Sequence, residues 1–195
     1  LNILAVDVRN TESFIHEYGH YLDYKHGNKA SESYSLEDNF EHIITAYSNN
    51  FKIISKKKED DLLTRLMKAS KESIPSVVSL EEKRLSSELA LVRQTLKMFD
   101  YFTTPTEIFA RGFELWVFET ITSNSSLLKN KEDYSNRIEY ASFNSIKASL
   151  FAFFATIFPE ETIKENNFAA SRTFTPKREW SITTPTNVGQ QMSLF

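Results

Sequence analysis

Phe14-Ile15-His16-Glu17-Tyr18-Gly19-His20-Tyr21-Leu22-Asp23-Tyr24 is the stretch on which the reading of this chain turns. On an α-helix, residues four apart share a face, so the imidazoles of His16 and His20 can point at one ion. Zinc takes imidazole nitrogen at about 2.0–2.1 Å and favours four ligands in a tetrahedron. Glu17 follows His16 by about 100° around the helix, which sets its carboxylate beside such an ion and not on it. From there it can act as general base on a water acidified by the metal. Phe14, Ile15, Tyr18, Tyr21 and Leu22 make the helix apolar on more than one side, which predicts burial. A buried helix does not carry two histidines and a glutamate without partners, because unpaired polar groups cost roughly several kcal/mol. The competing reading is a core helix whose histidines are satisfied by ordinary hydrogen bonds.

His-Glu-x-x-His is the zinc-metallopeptidase spacing. A catalytic zinc site has three protein ligands and an open fourth position, so a third ligand is required. The preferred candidate is Glu107, within Thr103-Thr104-Pro105-Thr106-Glu107-Ile108-Phe109-Ala110-Arg111-Gly112-Phe113-Glu114. Arg111 lies one turn further on and can pair with Glu107 or Glu114. On a surface helix that pairing is worth only about 0.3–0.5 kcal/mol, but the apolar neighbours Ile108, Phe109, Phe113, Leu115 and Trp116 predict a buried helix. His26 is the second candidate, ten residues after His16, where an extended pattern places a third histidine. That pattern turns the chain at a glycine, and here Asp23 stands in its place. Glu114 is the fallback carboxylate, and His42 has no constellation around it.

The remaining composition narrows the classes. The 195 residues are 41% hydrophobic and 13% aromatic, a globular composition with enough chain for one core. A net charge of −3 gives no basic balance pointing to direct nucleic-acid binding. The absence of cysteine excludes thiolate zinc sites and disulfide scaffolds and fits a cytoplasmic location. The longest apolar run, Ala148 to Phe158, is too short to span a membrane. No signal peptide is visible. The chain begins at Leu1, with the zinc helix almost at once, so we expect a fragment of something longer.

Leu1 to Val8 reads as a short strand. Asn10 or Thr11 is expected to cap the zinc helix, which should stop near Gly27 in a left-handed cap. A helix should start at Ser35–Asp38, with Phe40, Ile43, Ile44 and Tyr47 at helical spacing. The charged run Lys56 to Asp61 predicts a solvated helix face or turn. Ser79 to Phe99 predicts an amphipathic helix, Pro105 opens another, and a long one is expected from Tyr134 to Phe158. After Ala170 the sequence turns to Thr, Pro, Ser, Asn and Gln, the composition of a tail. The expected fold is mainly α (α+β): a zincin-like domain over residues 1–168 with a short N-terminal strand, then a tail over 169–195.

Taken together, the stretches 14–24 and 104–114 resemble the large polyvalent protein-associated zincin-like domains carried by phages, plasmids and conjugative elements. The likeness covers roughly residues 1–125. It implies a zinc metallopeptidase fold acting on a protein or peptide substrate. By position it implies His16, His20 and Glu107 as Zn2+ ligands and Glu17 as the base. Gly112 departs from the bulkier residue or alanine expected there, which could loosen the helix just beyond the ligand. A tyrosine to steady the oxyanion is expected, with Tyr101 the candidate. The rival expectation is a catalytically silent zincin scaffold that serves as a protein-interaction module. A peptidase confined to its own parent polyprotein is a third.

The last five residues, Gln191-Met192-Ser193-Leu194-Phe195, resemble the bacterial sliding-clamp-binding pentapeptide, with methionine in place of leucine at its second position. Leu194 and Phe195 would enter a hydrophobic pocket and Gln191 would hydrogen-bond at its edge. The resemblance implies the DNA polymerase sliding clamp as a partner, reached without a basic surface on the chain itself.

Overall fold

A computed structural model describes residues 11–27, 32–72 and 79–159 of the chain. Eight α-helices appear among them: α1 (Phe14–His26), α2 (Asp38–Glu72), α3 (Leu80–Lys97), α4 (Phe99–Phe102), α5 (Pro105–Thr120), α6 (Lys131–Asn136), α7 (Ile138–Ala141) and α8 (Lys147–Ile157). No strand occurs among the described residues, so this part is mainly α. The expected strand at 1–8, the domain boundary near 168 and the tail lie outside them.

α5 is the axis of the fold. Pro105 opens it, as its fixed φ and missing N–H predict. Every residue from Ile108 to Val117 is buried, so the helix is covered all round and not on one stripe. α1 lies against it on one side, where a Cβ on Gly19 would meet the Ala110 Cα at 2.9 Å. α8 lies against it elsewhere, where a Cβ on Gly112 would meet Leu150 Cδ1 at 2.9 Å and Phe154 Cε2 at 3.3 Å. Gly112 therefore admits a neighbouring helix, and α5 runs unbroken through it from Pro105 to Thr120. Phe113, Trp116, Phe154 and Phe158 pack with ring centroids 5.5–5.9 Å apart across this junction, the spacing at which edge and offset contacts add about 0.5–1.5 kcal/mol each.

α2 is one continuous helix of 35 residues, about 50 Å long. The charged run 56–61 is its solvated mid-section, stitched by Lys56 to Asp60 at 2.9 Å. Arg93 reaches back to Glu59 and Arg65 reaches Glu81, so α2 and α3 run antiparallel. Ser79 and Glu82 start α3 with a reciprocal capping box, each side chain accepting from the other's backbone N–H. Tyr47 and Asn50 tie α2 to α7 by donating to the carbonyls of Glu139 and Ser142.

Three expectations are corrected. Thr11 does not cap α1. It belongs to a 3-10 turn, Thr11–Ser13, and its hydroxyl donates to the Ser126 carbonyl at 3.0 Å; Asn10 lies outside the described residues. Gly27 is extended, with φ −61° and ψ 143°, and not left-handed; glycine is needed because a Cβ would sit 1.9 Å from the Glu32 carbonyl oxygen. The long helix expected over 134–158 is three helices, bent at Arg137 (ψ 135°) and through 142–146. On a straight helix Tyr134 and Tyr140 would point about 120° apart. The bend at Arg137 lets both reach the same group on α5.

Candidate metal centre

The close passage at Gly19 sets the geometry of the site. With no side chain there, α1 approaches α5 until backbone nearly touches backbone, and the polar residues flanking Gly19 meet those flanking Ala110. His16 Nε2 lies 3.2 Å from His20 Nε2, with the two rings near perpendicular. Glu107, from the first turn of α5, places Oε2 3.5 Å from His16 Nε2 and Oε1 3.5 Å from His20 Nε2. One ligand atom from each of the three residues can be chosen so that all lie within 4.8 Å.

This donor set fits a first-row divalent ion. Ligands about 2.0–2.1 Å from a tetrahedral centre stand roughly 3.3–3.4 Å from one another; each histidine Nε2 has one Glu107 oxygen near that distance, Oε2 for His16 and Oε1 for His20. Two imidazoles and a carboxylate are borderline donors of the type zinc accepts, although other first-row ions take them too. Glu107 Oε2 is also a buried atom without hydrogen-bond geometry to any partner, although the Arg111 Nη2 atom stands 2.8 Å away as an ion pair. Distance gives that pair its attraction, and its poor direction leaves lone-pair density on the oxygen.

Burial by itself would raise the Glu107 pKa. The His16 and His20 imidazoles and the Arg111 charge outweigh it and hold the carboxyl below the usual carboxylate range, so Glu107 meets an ion as an anion. Arg111 is itself 5% exposed. Its guanidinium lies over the rings of Phe102 and Tyr101, 4.8 and 5.3 Å from their centroids, an arrangement that favours a buried cation. Tyr101 is about half exposed. Burial, then the nearby Glu107 charge, raises its pKa, so its phenol stays protonated and able to donate.

Glu17 sits half-buried in the first turn of α1, and no described residue forms an ion pair or hydrogen bond with its carboxylate. The other candidates fall elsewhere. His26 is exposed at the end of α1 and meets the edge of Phe158, with centroids 5.3 Å apart; it does not join His16 and His20. His42 lies on the exposed face of α2. Glu114 is fully buried behind the cluster and faces His16 through the other ring nitrogen, Nδ1 to Oε2 at 3.7 Å. Residues 191–195 lie outside the described residues.

Several supporting residues escaped the sequence reading. Asp23 is 1% exposed and accepts from the Ser35 N–H at 2.7 Å and the Ser35 hydroxyl at 2.8 Å. It pins the end of α1 to the 3-10 turn Tyr34–Leu36. Burial pushes its pKa up to about 6 against the opposing pull of Ser35 and His20. Lys129, Tyr134 and Tyr140 all donate to Glu114. A glycine inside the His-Glu-x-x-His stretch was the one available signal of close helix approach. Nothing local announces the tyrosines. Comparison with family models, with curated proteins and with solved structures returned no match.

Proposed function

We propose that this chain is a zinc-dependent peptidase of a mobile genetic element, built on a zincin-like helical domain. The observation that supports it most is the convergence of His16, His20 and Glu107 from two helices, with one ligand atom of each within 4.8 Å of the others. Glu17 stands on the same helix with no competing partner among the described residues. His16, His20 and Glu107 would hold the ion. When bound, zinc supplies Lewis acidity, which acidifies water and polarises a carbonyl. Glu17 takes the proton of the attacking water and hands it to the leaving amine, so the peptide C–N bond breaks as the new C–O bond forms. Tyr101, exposed and protonated, donates to the carbonyl oxygen as it gains charge. The terminal segment Gln191–Phe195 recruits the enzyme to the sliding clamp.

The test is Glu17→Gln, assayed on a fluorogenic peptide library beside the wild type. Zinc content should stay the same while cleavage falls at least about 100-fold. Cleavage that survives the substitution overturns the role of Glu17. A wild-type chain that holds zinc and cleaves nothing is a binding scaffold and not a peptidase.

A further inference from the structure

Behind the ligand cluster lies a carboxylate that the proposed reaction does not use. Glu114 is completely buried on α5. Its Oε1 accepts from Lys129 Nζ at 2.6 Å and from the Tyr134 hydroxyl at 2.9 Å. Its Oε2 accepts from the Tyr140 hydroxyl at 2.6 Å. A carboxylate offers about four acceptor positions. Three are filled, and the fourth is on Oε2, 3.7 Å from His16 Nδ1. That nitrogen is buried and has no hydrogen-bond partner.

We propose that Glu114 is a positioning residue of the metal centre: it fixes His16 in the tautomer with its proton on Nδ1, which keeps the Nε2 lone pair for a divalent ion. The inference rests on the metal-centre reading above. At 3.7 Å the contact is longer than a hydrogen bond and acts through charge. A carboxylate facing a ring nitrogen favours a proton there over a lone pair. The carboxylate cannot turn away, because three donors from the loop before α6, from α6 and from α7 hold both its oxygens. Lys129 can only donate. Tyr134 and Tyr140 remain donors, since burial and the Glu114 charge raise both phenols above their ordinary pKa. On the far side of the ring Glu107 Oε2 stands 3.5 Å from Nε2 and draws the proton the other way, with its charge shared by Arg111 at 2.8 Å, so the two carboxylates compete for one proton and a bound ion on Nε2 would leave it to Nδ1. His16 Nε2 and His20 Nε2 stand 3.2 Å apart, so in the metal-free chain one donates and the other accepts. A His16 proton on Nδ1 makes its Nε2 the acceptor and His20 the donor. Partners behind a ligating histidine commonly carry 10–100-fold of metal affinity.

The experiment is a long-range 1H–15N spectrum of the histidine side chains in the metal-free chain at mildly alkaline pH, with His16 assigned by its loss in His16→Asn. The expected result is a proton on His16 Nδ1. In Glu114→Gln, Lys129 holds the amide oxygen on its own side and turns the amide nitrogen toward His16. The proton should then move to Nε2, and zinc affinity, measured by competition with a chromophoric chelator, should fall about 10–100-fold. A wild-type proton on Nε2, or an unchanged tautomer in a folded Glu114→Gln variant, overturns the proposal. The wild-type tautomer is read without Glu114→Gln, so a failure of that variant to fold leaves the proposal exposed to refutation. A wild-type chain that binds no zinc overturns the metal-centre reading instead, and the tautomer is still measurable in that case.

Discussion

Replacing Gly19 by alanine tests whether the approach of α1 to α5 builds the metal centre. The new Cβ would lie 2.9 Å from the Ala110 Cα, 3.2 Å from its carbonyl oxygen and 3.3 Å from its Cβ. Two of those atoms are backbone and cannot rotate away. Ordinary contact begins near 3.4 Å, so the helices must part by roughly half an ångström. Overpacking of this kind costs about 1–3 kcal/mol. Alanine in a helix interior returns about 1 kcal/mol relative to glycine, so the net loss of stability is only about 0–2 kcal/mol. Ligand geometry has no such compensation. His16 and His20 ride on α1 and Glu107 on α5, so their 3.5 Å separations would open to about 4 Å, past the edge of a zinc tetrahedron.

A site held to within about half an ångström is degraded by a shift of that size, and we expect zinc affinity to drop at least about 10-fold, or 1.4 kcal/mol. Chelator competition gives the affinity and circular dichroism confirms the fold. Gly112→Ala is the contrast. Its Cβ would meet only the flexible ends of Leu150 and Phe154, on the α8 side of α5. It should cost stability and leave zinc affinity within about twofold. Equal losses in the two variants, or a folded Gly19→Ala that binds zinc as tightly as wild type, would refute the reasoning.

Elemental analysis of Glu107→Gln and His26→Ala should separate the third-ligand candidates: the first should lose its zinc and the second should retain about one ion per chain, and zinc retained in Glu107→Gln would remove that carboxylate from the ligand set. Asp23 carries a pH signature. Its pKa is about 6 in the native chain against 3.8 for the free side chain, so the native state binds its proton more tightly than the unfolded state. Its contribution to stability is therefore present in full below about pH 4 and is lost as pH rises through 6, up to about 3 kcal/mol in all. Asp23→Asn cannot titrate, so urea melts should show the variant gaining on wild type from pH 4 to pH 7. A stability difference flat across that range would contradict the burial of an ionisable Asp23.

The two helices that carry the site were legible because their signals are local. The His16–His20 spacing fixes a face, Pro105 fixes a start, and the apolar run after Glu107 announces burial. The choice between Glu107 and Glu114 was not legible, for a geometric reason. They are seven residues apart, nearly two whole turns, so they lie on one face of α5 and no periodicity argument separates them. Only the position of α1 along α5 decides which of them meets the Nε2 atoms, and a contact between Gly19 and Ala110 sets that position. The break at Arg137 was hidden for a similar reason. Residues 134–158 are apolar at helical spacing throughout, and the bend is imposed by where Tyr134 and Tyr140 must end, on a carboxylate some twenty residues earlier in the chain.

Glu107, Arg111 and Glu114 form a charged stripe within an otherwise apolar buried helix, and His16 touches it at both ends, through Nε2 to Glu107 and through Nδ1 to Glu114. Each carboxylate has its own cation, the buried Arg111 for the first and the part-buried Lys129 for the second. Breaking a fully buried pair costs about 3–5 kcal/mol, since the survivor is left as a bare charge, and these pairs, each with one part-buried partner, fall below that ceiling. Small zinc domains in which the metal supplies the folding energy leave their ligands uncompensated without it. Here Glu107 has Arg111, Arg111 has two aromatic faces, and the Gly19–Ala110 contact brings the histidines to them. On the proposed reading, packing and ion pairing hold these ligands in place, and an ion would add to side chains whose charges already have partners.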